Sequence, residues 1–184
     1  MKNNIIPAIR LTLVCFVFFC GIYTLIVFGI SKLVPDSMSF AKNNSGYYEN
    51  VGQSFTSDKY FWSRPSAVDF NAAGSGGSNK GPSNPDYLAE VQARIDTFLV
   101  HNPEIKKEDI PSDLVTASGS GLDPNISVQA AKVQVKRIAA TRNISENSLE
   151  QLIQKHTEKP LLGLFGTEKL NVLKLNIALD DLRK

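Results

Sequence analysis

The sequence predicts an α+β protein: a single N-terminal transmembrane helix, then one soluble mixed domain whose helices pack on a small sheet. Three observations predict it. Residues 11–31 are uncharged and dominated by Leu, Val, Ile and Phe. Three later segments pair a helix-capping residue with apolar positions at helical spacing. Short apolar stretches at 47–62 and 170–175 suit strands or extended segments closing on a core. The expected organisation is residues 1–10 as a cytoplasmic N-terminus, 11–31 as the membrane helix, 32–46 as a linker and 47–184 as an extracytoplasmic domain.

At about 1.5 Å per residue, the 21 uncharged residues reach roughly 30 Å, the thickness of a bilayer core. A cleaved signal peptide has a shorter apolar region and small residues at its cleavage site, and neither feature fits. Lipid attachment at Cys20 is disfavoured by Phe18 and Phe19, which stand where processing needs small side chains. Lys2 and Arg10 precede the run, whereas Lys32 is soon followed by Asp36. The positive-inside tendency therefore puts the N-terminus in the cytoplasm and the rest of the chain outside.

Of the 184 residues, 20 are Lys or Arg and 18 are Asp or Glu. Setting aside Lys2, Arg10 and Lys32 leaves 17 basic against 18 acidic residues, so the soluble part is close to neutral and lacks the basic footprint of a nucleic-acid binder. Both cysteines, Cys15 and Cys20, lie in the apolar run on different helix faces and cannot pair with each other. The soluble part has no thiol, which suits an oxidising compartment.

Along the soluble part, Val51, Phe55, Tyr60 and Phe61 mark the first apolar stretch. Asn84 caps a helix whose first turn holds Pro85 and Asp86, with Tyr87, Leu88, Val91, Ile95, Phe98 and Leu99 as its apolar stripe and Asn102-Pro103 as its stop. A second helix is expected after Ser127, with Val128, Ala131, Val135 and Ile138 inward and Lys132, Lys136, Arg137 and Arg142 mostly outward. A third starts at Ser145, where Ile144 and Leu149 form a hydrophobic staple. Residues 170–175 suit a strand, and 176–182 a last short helix. Gly/Ser/Asn/Pro-rich residues 74–85 and 118–127 read as ordered loops.

Catalytic patterns are hard to find. The run from Gly74 to Gly81 superficially resembles a phosphate loop, but Asn79 precedes Lys80 and Gly81 follows it, where a Walker motif needs Gly and then Ser or Thr. Gly119-Ser120-Gly121 lacks the third glycine of a dinucleotide fingerprint, and no Gly-x-Ser-x-Gly elbow exists. His101 and His156 fall on the polar sides of expected helices without cysteine partners. Asp113 and Asp123 are a candidate carboxylate pair, with Asp123 before Pro124 reading first as a turn-former.

Several segments, taken in order, resemble the signatures of the KdpC family of bacterial potassium-transporting ATPase subunits. They are Gln53-x-Phe55, then Tyr60-Phe61-Trp62-Ser63-Arg64-Pro65-Ser66-Ala67, then Ser75-Gly76-Gly77-Ser78-Asn79 with Gly81-Pro82 and Asn84-Pro85. Asp113-Leu114-Val115-Thr116-Ala117-Ser118-Gly119-Ser120-Gly121-Leu122-Asp123-Pro124 follows, and Asn171-Val172-Leu173, Leu175-Asn176 and Ala178-Leu179-Asp180 complete the set. Asn125 stands where many relatives have His, and the stretch between Leu33 and Gly46 is shorter and more polar than the family's glycine-rich version.

The resemblance implies an accessory subunit without catalytic residues, in a complex with a channel-like potassium-translocating membrane subunit, a P-type ATPase subunit and a small single-helix subunit. ATP and Mg would be used by the ATPase partner, and potassium would be the transported ion. The chain carries no D-K-T-G-T-like motif; Asp58-Lys59 continues as Tyr60-Phe61. No cofactor is assigned. Family descriptions also attach ATP binding to such subunits, for which Ser118, Gly119, Ser120 and Gly121 are the nucleotide-loop candidates. Arg64, Pro65, Ser66, Ser75, Gly76, Gly77, Ser78, Asn79, Asp113, Asp123, Asn171 and Asn176 are the loop or interface candidates.

Overall fold

The computed structural model describes residues 4–33 and 48–182. Two compact units emerge, Met1–Ala41 and Lys42–Lys184. The expected linker at 32–46 lies outside the described residues except for Lys32 and Leu33, which end the first unit's helix.

That helix runs over Ile5–Leu33, 29 residues, so it extends past the uncharged run at both ends. It comprises α1 (Ile5–Phe16), a π-helical stretch (Val17–Tyr23) and α2 (Thr24–Leu33). Pro7 falls in the first turn, where its missing amide breaks no helical hydrogen bond. The Thr24 hydroxyl donates to the carbonyls of Cys20 and Gly21, and Ser31 donates to Phe28. These two hydroxyls are thus satisfied within the helix, as an apolar surrounding requires. No residue of these three segments is buried by the chain itself. By length and composition the helix can cross a membrane.

In the second unit, residues 49–84 form turns and extended segments rather than strands. Phe61 is nonetheless fully buried. Its amide donates to Asn176 Oδ1 at 2.9 Å and its carbonyl accepts from Asn176 Nδ2 at 3.0 Å. One side-chain amide replaces a strand partner, which explains how an aromatic-rich stretch closes onto a core with no sheet. Helix α3 (Pro85–His101) is capped by Asn84, whose Oδ1 accepts from the Tyr87 amide at 3.0 Å. Its stripe packs shallowly: Phe98 is buried, while Val91 and Ile95 are half-buried and Leu88 is exposed.

Two 3-10 turns (Lys107–Asp109, Ser112–Leu114) lead through the second glycine loop to β1 (Asn125–Ile126). Ser127 then caps α4 (Val128–Lys132), accepting from the Ala130 amide, and a turn at Val133 and Gln134 leads into α5 (Val135–Arg142). The expected second helix is therefore two helices. Ser145 caps α6 (Glu146–His156), with Ile144 packed against the core and Leu149 fully buried, as the staple requires. The strand expected at 170–175 is only β2 (Leu170–Asn171), because Asn171 caps α7 (Val172–Asp181) by accepting from the Lys174 amide. The last helix accordingly begins before residue 176.

Strands β1 and β2 pair antiparallel, Asn125 with Asn171 and Ile126 with Leu170. Helix α6 packs on α4, α5 and α7. Together with Phe61 and Phe98 these elements enclose Ile138, Leu149, Ile153, Leu170, Leu175 and Leu179, all at most 2 % exposed.

Two side chains expected to face outward do not. Arg137 and Arg142 are both buried. Arg137 donates to Asp58 O (2.7 Å), Tyr60 O (3.1 Å), Asn102 Oδ1 (3.1 Å) and Gln134 Oε1 (2.7 Å), and its guanidinium lies 4.7 Å from the Trp62 ring centre. Arg142 donates to Lys59 O, pairs with Asp180 at 2.6 Å and stacks 4.6 Å from Tyr60. A planar guanidinium with five donors can cross-link carbonyls of a strandless segment in a way that an ammonium cannot.

Candidate functional site

Most of the candidates in 64–79 and 118–123 converge on one place. The Ser118 amide donates to Pro65 O, Gly76 N donates to Ser120 O, and the Ser75 hydroxyl donates to the same Ser120 carbonyl. Ser66 Oγ donates to Gly121 O at 2.7 Å while accepting from the amides of Val68 and Phe70. Gly52 N reaches Leu122 O at 2.7 Å. Three stretches, around residues 52, 64–76 and 118–123, are thereby sewn together through backbone groups.

The glycines follow from that closeness. Gly121 has φ +68°, and a Cβ there would stand 2.5 Å from the Val68 side chain and 2.8 Å from Gly76 O. At Gly77 a Cβ would lie 3.0 Å from Gly119 O. Gly121 also needs the left-handed backbone that glycine adopts without penalty. Ser78 accepts from the Lys80 amide, and Asn79 takes φ +53° at the exposed end of the loop.

Arg64 anchors the edge of this knot. Its Nη1 meets Asp123 Oδ2 at 3.2 Å, and both side chains are about 30 % exposed. Asp123 Oδ1 also accepts from the Asn125 amide at 3.0 Å, forming the turn expected of an Asp before Pro. Asp113 instead accepts from the amide and hydroxyl of Ser127. Both carboxylates line a cavity of about 560 Å³ with Arg64, Asn125, Thr167 and Glu168. Their hydrogen-bond partners differ, so the structure gives them separate anchoring roles within one cavity wall.

Of the nucleotide-loop candidates Ser118, Gly119, Ser120 and Gly121, the amides of Ser118 and Gly121 donate within the protein, to Pro65 O and Ser118 O, as the neighbouring Leu122 amide does to Ser120 Oγ. A phosphate cradle presents such amides outward. Asn171 and Asn176 sit apart from the knot, at β2 and α7, where Asn171 Nδ2 holds Glu49 O and Asn176 holds Phe61. His101 Nδ1 lies 2.8 Å from Asp58, and His156 is held below its usual pKa of 6.5 by burial and then by the charges of Lys155 and Lys174. Among the described residues no group of three or more His, Cys, Asp or Glu could hold a metal ion.

Asn176 was among the loop or interface candidates, but sequence reasoning missed the buried polar set that Asn102, Gln134, Arg137 and Arg142 form. Its one visible signal was the pair of arginines on a helix carrying Val135, Ile138 and Ala139, together with Tyr60 and Trp62 as faces for stacking.

Comparison with known proteins extends over the same elements. Residues 5–181 match the family described as KdpC: K+-transporting ATPase, c chain. A protein of Flavobacterium psychrophilum named Potassium-transporting ATPase KdpC subunit is 51% identical over 186 residues, spanning 98% of this chain and 100% of its own length. A protein of the same name from Bacteroides thetaiotaomicron is 50% identical, covering 97% of this chain and 98% of that one. Another from Caldanaerobacter subterraneus is 41% identical, covering 97% and 95%. With the apolar helix, the loop knot and the capped C-terminal helices all inside the matched span, the chain belongs to the KdpC family of K+-transporting ATPase subunits.

Proposed function

We propose that this chain is a non-catalytic, membrane-anchored accessory subunit of an ATP-driven potassium uptake complex. It assembles with and stabilises a channel-like potassium-translocating subunit, a P-type ATPase subunit and a small single-helix subunit. The observation that carries this reading is the family match over residues 5–181, which includes the anchoring helix as well as the domain. The helix supports it physically. A 29-residue apolar helix with none of its residues buried by its own chain needs lipid or other helices around it.

In this reading the N-terminus is cytoplasmic and the domain faces outside, as the placement of Lys2 and Arg10 before the span favours. There the loop knot around Arg64, Ser66, Gly76, Gly121 and Asp123 presents a preformed surface for a partner and for shaping potassium access. ATP and Mg act at the ATPase subunit. The glycine-serine loop at 118–121 is the basis for a second reading, in which the chain binds ATP and raises the catalytic subunit's nucleotide affinity. The inward donation of the Ser118 and Gly121 amides favours the structural reading over that one.

The test is co-purification through an affinity tag on this chain, combined with a topology reporter at Lys184. A polytopic channel-like protein and a P-type ATPase are expected in the eluate, with the reporter active outside the cytoplasm. A cytosolic reporter together with saturable ATP binding by the purified chain would reinstate the nucleotide reading.

A further inference from the structure

Two adjacent residues of the knot, Asp69 and Phe70, have φ of +50° and +58°. Among the described residues no other neighbouring pair without glycine lies in the left-handed region. They are the central residues of a tight turn closed by the Asn71 amide on Val68 O at 2.9 Å. Such left-handed positions normally take Asn, Asp or Gly, and Asp69 conforms. Phe70 does not. An aromatic side chain there costs energy, and the conformation persists only where the surroundings enforce it.

The enforcement runs through one hydroxyl. Ser66 Oγ accepts from the Val68 and Phe70 amides at 3.1 and 2.9 Å, and its proton goes to Gly121 O at 2.7 Å. Both acceptor sites and the one donor of a hydroxyl are thereby used. The base of the turn leans on the same glycine, since a Cβ at Gly121 would stand 2.5 Å from the Val68 side chain. Phe55 packs against the core, whereas Phe70 lies outside that cluster.

The strained turn places one ring. Phe70 lines two cavities, of about 310 and 400 Å³. Trp62, Arg64, Arg94 and Leu114 wall the first, and Tyr48, Val51 and Gly52 the second. Ser54 and Phe55 also face both, but Phe55 is fixed by its packing on the core.

We infer that the turn at residues 68–71 is a latch. The Ser66 hydroxyl, tied to Gly121, holds Phe70 in a strained position between the two cavities, and release of that hydroxyl lets the turn relax and joins them into one. Strain at Phe70 drives the opening, and the bonds through Ser66 oppose it. A contact that displaces the 118–123 loop or takes up the Gly121 carbonyl unlocks it, which gives the knot a two-state element that a neighbouring molecule can bias. The inference needs neither the membrane orientation nor the partners proposed above, so it stands or falls separately from them.

The test uses the full chain purified in detergent, in which Trp62 is the sole tryptophan and lines the first cavity. Ser66→Ala is expected to raise acrylamide quenching of Trp62 about twofold, Phe70→Gly to raise it as much, and the double variant no further, because all three open one latch. Phe70→Gly should melt about 2–4 °C above Phe70→Ala, since both remove the ring and only glycine relieves the left-handed backbone. Should Ser66→Ala not fold, hydrogen exchange of the unaltered chain reads the same motion. The Val68 and Phe70 amides are expected to exchange roughly tenfold or more faster than the Phe61 amide, which Asn176 holds in the core. Unchanged quenching in a folded Ser66→Ala variant, or Phe70 exchange no faster than that of Phe61, overturns the latch. Additive quenching in the double variant overturns it as well, because Ser66 then does not act through Phe70. Equal melting of Phe70→Gly and Phe70→Ala removes the strain and with it the inference.

Discussion

Arg137 is held out of water by four hydrogen-bonded residues and an aromatic face. Burial pulls its pKa below the usual guanidinium range, down to about 10, partly offset by the Asp58 carboxylate, so the cation persists at neutral pH. Removing it strands acceptors from Asp58, Tyr60, Asn102 and Gln134 in a desolvated site. Arg137→Ala is expected to cost about 3–5 kcal/mol, read from the urea midpoint of the purified chain in detergent. Arg137→Lys should recover only part, because an ammonium neither stacks on Trp62 nor reaches all four acceptors. At His156 the sign runs through protonation. Its folded pKa lies below 6.5, so its contribution to stability is full above the unfolded value and is lost as pH falls through the folded one. His156→Gln should therefore flatten the decline of Tm below pH 6.5 and leave Tm at pH 8 little changed.

Among the elements, Asn171 does two jobs. Its Oδ1 caps α7 at the Lys174 amide, and its Nδ2 holds Glu49 O from the start of the domain at 2.8 Å. Asn171→Ala is expected to cost about 1–2 kcal/mol, with faster hydrogen exchange at the first turn of α7. The caps at Asn84, Ser127 and Ser145 were legible in the sequence because a cap and its helix are neighbours in the chain. The Asn171 cap was not, since the apolar residues 170–175 fit a strand and a helix about equally over so short a run. The inward arginines were hidden for a different reason. Their acceptors at residues 58–60 lie about eighty positions away, and no local pattern announces a distant carbonyl. For the loop knot, the sequence identified the participating residues, whereas their mutual hydrogen bonds depend on three chain stretches meeting in space.

At the scale of the whole molecule, the domain is closed by contacts between its ends. Phe61 is held by Asn176 and Tyr60 OH by Asp180. A chain ending at residue 169 would lose β2 and α7 and leave the Phe61 backbone groups without their partner. Such a truncation is expected to abolish cooperative unfolding rather than merely lower its midpoint, as a denaturant titration followed by Trp62 fluorescence would read. The clasp between Asn176 and Phe61 also orders events during synthesis. The aromatic stretch leaves the ribosome more than a hundred residues ahead of the amide that must receive it, so the nascent domain has no means of burying its first core residue as it does in the finished protein until nearly its last turn has been made. Until then that stretch is exposed to proteases and to wrong partners, and a holding chaperone acting on the lagging interval would protect the product more than one acting after release.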